Sequence, residues 1–159
     1  MGITTFSGPV KVGDIKFTTG TDLGTNVANL GTVIAMQSEV ISQAGPATDG
    51  IYTTNIVIPA GSTITSIQFY VNSAWTGVAK TVGVGTSASA TYFTAAAAVD
   101  ATNLGIVAAT AGADATRVGN WANVGTTDVR IKLTSTNTGT GTATLVVAYA
   151  QSPNATFVV

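Results

Sequence analysis

The 159-residue chain reads as all-β, an antiparallel β-sandwich or jelly roll preceded by an extended N-terminal arm. Three observations predict this. Short runs of β-branched and aromatic residues alternate with small polar ones, the period of a half-buried strand. Clusters of Gly, Pro, Asn and Asp punctuate those runs at close intervals. Hydrophobic residues make up 45% of the chain and charged ones only 8%, so a core must form although little charge surrounds it. Alternation of apolar with small polar residues argues for antiparallel sheets with one solvated face, since parallel strands buried on both faces read as continuous apolar runs.

Residues 1–31 form the arm. Its first half carries Ile3, Phe6, Pro9, Val10, Lys11, Val12, Ile15 and Phe17, and its second half is Gly, Thr and Asn with few anchors. Apolar side chains on an arm must dock, on their own domain or on a neighbour, so these eight residues are the candidate contacts with another subunit. Residues 32–159 form the sandwich. Strands are predicted over Thr32 to Ser42, Ile51 to Ile58 and Thr63 to Val71, the last with Thr63, Thr65, Ile67, Phe69 and Val71 on one face. Thr81 to Thr86 is a short strand with glycine at alternate positions, which lets another backbone or a ring approach closely. Thr94 to Asp100 is the one helix-like stretch, because alanine has the highest helix propensity and Thr94 can cap it. Leu104 to Thr110 and Ala115 to Asn120 are read as further extended segments. The end of the chain is clearest. Val129, Ile131 and Leu133 share one face opposite Arg130 and Lys132, and Ala143, Leu145, Val147 and Tyr149 fall together. The turn-forming stretch from Asn137 to Gly141 predicts an antiparallel hairpin between these two strands.

Composition removes several kinds of function. The chain has no histidine and no cysteine, so the commonest general base and the usual zinc and copper donors are missing. Seven acids, Asp14, Asp22, Glu39, Asp49, Asp100, Asp114 and Asp128, are spread out and share no motif. Asp49-Gly50 and the stretch from Asp100 to Asn103 are turn residues rather than a calcium loop, which needs closely spaced oxygen donors. The Gly-x-Gly strings at 83–85 and 139–141 lack the Lys and helix of a phosphate loop. No metal, cofactor or catalytic residue is therefore expected. Net charge is −1 with six dispersed cations, too few for nucleic-acid binding. No apolar run approaches the ~20 residues of a membrane helix, and the start of the chain has no basic or apolar leader pattern, so cytoplasmic production and no membrane partner are expected. Trp75 and Trp121 suit either a core position or a stacking platform, the core reading being preferred.

The run from Ile58 to Gly77 (IPAGSTITSIQFYVNSAWTG), followed by Val82 to Ala88 (VGVGTSA), resembles β-sandwich modules of tailed-bacteriophage virion proteins. The stretch from Val129 to Tyr149 looks like the last hairpin of such modules, and Ile3 to Gly13 is similar to the start of small phage capsid proteins. This resemblance implies a capsid decoration, or cement, protein. It would be a homotrimer bound to the major capsid protein on the capsid exterior, with no catalytic residues. Two other roles fit a charge-poor sandwich. One is a head- or tail-fibre module. The other is a carbohydrate- or receptor-binding domain using Trp75, Trp121, Tyr52, Tyr70, Tyr92 or Tyr149 as stacking surfaces. A charge-poor surface suits permanent burial against partners, because little hydration must be stripped from it on contact.

Overall fold

In the computed structural model, residues 33–44, 51–77, 80–135 and 139–151 are described. The eight arm residues singled out above, Ile3, Phe6, Pro9, Val10, Lys11, Val12, Ile15 and Phe17, lie outside them. The strands are β1 (Val33–Ser42), β2 (Ile51–Ile58), β3 (Thr63–Ser73), β4 (Thr81–Gly85), β5 (Val99–Asp100), β6 (Gly105–Ala109), β7 (Val129–Thr134) and β8 (Thr142–Gln151). One helix, α1 (Ala115–Ala122), links β6 to β7.

Each strand pairs with the one equally far from the other end of the series: β1 with β8, β2 with β7, β3 with β6 and β4 with β5, all antiparallel. The chain is thus one long hairpin, with its tip at β4–β5, rolled upon itself. Rolling brings β3 against β8 and β4 against β7, which gives two four-stranded sheets in the orders β1-β8-β3-β6 and β2-β7-β4-β5. That is a jelly roll, the two-sheet arrangement of the all-β class the sequence predicts.

The core between the sheets follows the alternation. Ile67, Phe69 and Val71 of β3, Ile131 and Leu133 of β7, and Ala143, Leu145 and Val147 of β8 are all buried. The grouping on β3 changes phase near its start. Thr63 and Thr65 are exposed and Ile64 is buried, because the register with β8 shifts between Ile64 and Ser66. This bulge inserts one residue and swaps the faces, so Ile64 joins the core and Thr65 does not.

Three expectations are corrected. The strands ending the chain do not form a hairpin: β7 belongs to one sheet and β8 to the other, so the connection crosses the sandwich. Periodicity reports which face of a strand is apolar, and both strands have one, but it does not report which sheet they join. The other two corrections are an exchange. The Ala-rich stretch from Thr94 to Asp100 is not helical; it holds Ala97 at φ 63° and ends in β5. Here the Thr94 hydroxyl accepts from the Val84 amide at 2.8 Å, and the amides of Phe93 and Thr94 donate to the Val84 carbonyl, so this segment lies along β4. The helix is instead at Ala115–Ala122, where an extended segment is predicted. Asp114 caps it by accepting from the Arg117 amide at 2.9 Å. An Asp followed by a helix-compatible run is the signal for this start.

Of the alternate glycines of β4, Gly85 behaves as the sequence suggests, whereas a Cβ at Gly83 would meet only ordinary contacts, the nearest at 3.4 Å. A Cβ at Gly85 would sit 2.3 Å from the Ser89 carbonyl oxygen and 2.5 Å from backbone atoms of Ala90. The loop after β4 folds back over the strand, and only glycine leaves it room.

Candidate functional site

β1 carries its polarity the unexpected way round. Its outward positions hold Ile34, Met36, Ser38 and Val40, while Gln37 and Glu39 turn inward with Ala35 and Ile41. The cause lies at the open side of the sandwich, where β1 and β2 are both edge strands. An unpaired edge exposes backbone donors and acceptors that must be satisfied. The Gln37 amide does this as a strand would. Its Nε2 donates to the Val57 carbonyl at 2.7 Å and its Oε1 accepts from the Val57 amide at 3.1 Å. Nε2 also donates to the Tyr149 hydroxyl at 2.9 Å. Two residues along, the Glu39 carboxylate accepts from the Asn55 amide at 2.6 Å, the Asn55 side chain at 3.3 Å and the Tyr52 hydroxyl at 3.2 Å. Burial, and then the neighbouring Glu39 carboxylate, hold the Tyr52 phenol above the usual tyrosine range. A polar seam therefore closes the gap between the sheets. Because side chains alternate along a strand, fixing Gln37 and Glu39 inward sends Ile34, Met36 and Val40 outward.

The consequence is an apolar outer face on the β1-β8-β3-β6 sheet. One row across it runs Val40, Thr144, Tyr70, Ile106, and the next runs Ser38, Val146, Gln68, Ala108. A third runs Met36, Ala148, Ser66. Ile34 is 69% exposed, Met36 66%, Val40 64% and Ile106 64%. The polar groups on the face are neutral, and four of them pair: Asn72 donates to Thr144 at 2.9 Å, and the Tyr70 hydroxyl donates to Gln68 at 3.0 Å. None of the described charged residues occupies an outward position of this sheet. The opposite sheet differs, with Arg130 and Lys132 on its outer side. Scattered exposed apolar residues are ordinary on a protein surface, but a contiguous patch on a charge-free face marks an interaction site.

Among the described residues, the other carboxylates are occupied structurally. The Asp128 carboxylate accepts from the Ala60 amide at 2.9 Å, tying the β2–β3 turn to the start of β7. Asp100 accepts from the Thr102 amide and hydroxyl, and these bonds hold its carboxyl below the usual range; Asp114 is lowered in the same direction by the Arg117 amide. Among the described residues no three His, Cys, Asp or Glu side chains gather where a metal ion could sit.

Of the aromatic residues considered for stacking, five are committed elsewhere. Trp75 and Tyr149 are buried in the core. The Trp121 indole donates to the Phe93 carbonyl at 2.8 Å and pins α1 to the sandwich. Tyr52 belongs to the seam, and Tyr92 packs edge-to-face on Phe93 with centroids 4.9 Å apart. Tyr70 alone of the six is exposed, in the middle of the apolar face. The cavity lined by Trp75, Gln43, Tyr52 and Leu133 has a volume of about 10 Å³, room for one water and not for a sugar.

No known protein family matches the sequence, and no curated protein matches it. A chain from a solved phage capsid shares its fold at low identity. A chain in the acidic stable capsid structure of Helicobacter pylori bacteriophage KHP30 superposes with a TM-score of 0.50 at 18% identity, over 74% of this chain and 87% of that one. A chain in the capsid asymmetric unit of cyanophage Pam1 gives a TM-score of 0.38 at 14% identity, over 76% of this chain and 86% of that one.

The apolar face escaped the sequence reading although its residues stand in plain alternation. Ile34, Met36 and Val40 are the natural inward set of β1, and Gln37 and Glu39 the natural outward set. Only the knowledge that β1 and β2 are neighbouring edges of opposite sheets reverses that assignment.

Proposed function

We propose that the chain is a virion structural protein that decorates and stabilises a phage capsid. It binds the major capsid protein on the shell exterior, as a homotrimer, after assembly in the host cytoplasm, and performs no catalysis. The observation that carries this reading is the charge-free apolar face of the β1-β8-β3-β6 sheet, presented on a jelly roll of the kind found in a phage capsid. Such a face loses little hydration when covered, so its burial is favourable at about 25 cal/mol per Å² of apolar area. Repetition over a shell multiplies a modest contact by avidity. The carboxylates that cap turns and seal the seam support a structural role over a catalytic one, since each already holds a backbone or side-chain donor. Residues 1–31, with Ile3, Phe6, Pro9, Val10, Lys11, Val12, Ile15 and Phe17, supply the second contact, lying over an adjacent subunit.

The test is to add purified chain to phage capsids that lack it and follow co-sedimentation and the temperature at which the shells open. Saturable binding at a fixed ratio to the major capsid protein, with a raised opening temperature, is expected. Capsids that neither bind the chain nor gain stability from it would refute the reading.

A further inference from the structure

Trp75 brings a buried donor into the core without a protein acceptor. The residue follows β3 and is 3% exposed, and among the described residues its indole Nε1 hydrogen meets no acceptor. A buried N–H gives up its hydration on folding, so such groups are nearly always paired with protein or with internal water. Trp121 shows the ordinary solution, its indole donating to the Phe93 carbonyl at 2.8 Å.

The surroundings place the N–H edge of Trp75 beside Gln43. A Cβ at Gly141 would sit 2.6 Å from the Trp75 Cδ1, the ring carbon bonded to Nε1, so this edge lies against Gly141. The Gly141 carbonyl in turn accepts from the Gln43 amide at 3.0 Å. Gln43 borders the small cavity between the sheets, together with Ile41 and Ser42 of β1, Tyr52 of β2, Leu133 of β7, Ser135 and Trp75 itself. The cavity measures about 10 Å³, the space of one water and too little for any organic molecule. Its lining is mixed, with side-chain oxygens on Ser42, Gln43, Tyr52 and Ser135.

We infer that this cavity is a binding site for one water molecule, which accepts the Trp75 Nε1 hydrogen and links the two sheets through the oxygens of the lining. An apolar cavity stays dry, but one with a donor to satisfy and several oxygens within it holds its water. An anion would also accept the indole hydrogen, but no cation borders the cavity to offset the hydration the anion would lose. The position gives the water a role. Gln37 and Glu39 clip β1 to β2, and the next inward residue of β1 is the apolar Ile41. Tyr52 belongs to both places, since its hydroxyl donates to Glu39 at 3.2 Å and its side chain borders the cavity. The water carries the polar link between the sheets on to the end of β1.

The test is nuclear magnetic resonance on the intact, isotope-labelled chain. Water-selective NOESY and ROESY spectra are read at the two indole N–H protons, assigned with Trp75→Phe and Trp121→Phe. A water that stays bound through molecular tumbling gives cross-peaks of opposite sign in the two spectra, whereas proton exchange with solvent gives the same sign in both. Opposite signs are expected at Trp75, and no cross-peak at Trp121, whose hydrogen the Phe93 carbonyl holds. Trp75→Phe keeps a flat ring and removes the donor, so relaxation dispersion of the water oxygen should count one fewer long-lived water per chain in the folded variant. The spectra of the native chain decide the matter even if this variant fails to fold. No cross-peak at Trp75, cross-peaks of the same sign there, or an unchanged count in folded Trp75→Phe would each overturn the inference.

Discussion

Replacing Gln37 with Leu tests why β1 points its apolar side chains outward. The substitution keeps the side chain's approximate size and removes three hydrogen bonds: to the Val57 carbonyl at 2.7 Å, from the Val57 amide at 3.1 Å and to the Tyr149 hydroxyl at 2.9 Å. At about 1 kcal/mol net for each bond the gross loss is roughly 3 kcal/mol. Burying part of a leucine in place of an amide returns about 1 kcal/mol, so the expected net loss is about 2 kcal/mol. For a domain of this size about 1 kcal/mol corresponds to roughly 3–5 °C, which places the unfolding midpoint about 6–10 °C lower. Thermal unfolding followed by circular dichroism reads this directly, with urea unfolding at unchanged slope confirming that stability and not compactness has changed. Ser38→Leu is the control. It adds the same side chain at the adjacent outward position and should stay within about 0.5 kcal/mol of the native chain. If Gln37→Leu unfolds at or above the native temperature, the seam does not set the facing of β1, and the origin argued for the apolar face is wrong.

Other perturbations follow from the same geometry. Gly85→Ala forces a Cβ to within 2.3 Å of the Ser89 carbonyl oxygen, so the backbone must move and about 2–3 kcal/mol of stability should be lost in denaturant unfolding. Gly83→Ala meets nothing closer than the Ala96 Cα at 3.4 Å and should be nearly neutral; equal effects at the two sites would contradict the packing described. Tyr52 gives an alkaline limb to stability. Its proton is held more tightly in the folded chain than in the unfolded one, so its contribution is intact below about pH 10 and declines as pH rises through the raised value. Tyr52→Phe should flatten that limb in a series of urea titrations, and an unchanged limb would remove Tyr52 as its source. Asp114→Ala deletes the cap of α1 and should speed hydrogen exchange at the Arg117 amide, whereas unchanged exchange would show that the cap is dispensable.

Much of the fold is legible in the sequence because it rests on local alternation. Ile131 and Leu133, Leu145 and Val147, and Ile67, Phe69 and Val71 declare their strands and their buried faces, and the glycine at 85 announces a close backbone approach. What the sequence conceals depends on pairing between distant segments. The β7–β8 connection reads as a hairpin because a Gly-rich turn between two alternating strands looks the same whether the strands stay in one sheet or cross to the other. The alanine run before β5 carries helix propensity, but Val84 offers its backbone to Phe93 and Thr94, and those tertiary bonds prevail. The helix at Ala115–Ala122 has Ala115, Val118, Trp121 and Ala122 at helical spacing, but it is only eight residues long and includes Gly119 and Asn120, which favour helix poorly. The bulge at Thr65 reverses a face that alternation alone would continue. The candidate surface is the least legible part, since Gln37 and Glu39 look like solvent-facing residues until β2 is placed beside them.

The account stands most directly on the abundance of the chain in purified virions, measured by quantitative mass spectrometry against the major capsid protein. A capsid decoration role predicts hundreds of copies per particle in a fixed ratio to the lattice. A handful of copies, as a fibre or receptor-binding protein would give, or none at all, would contradict it.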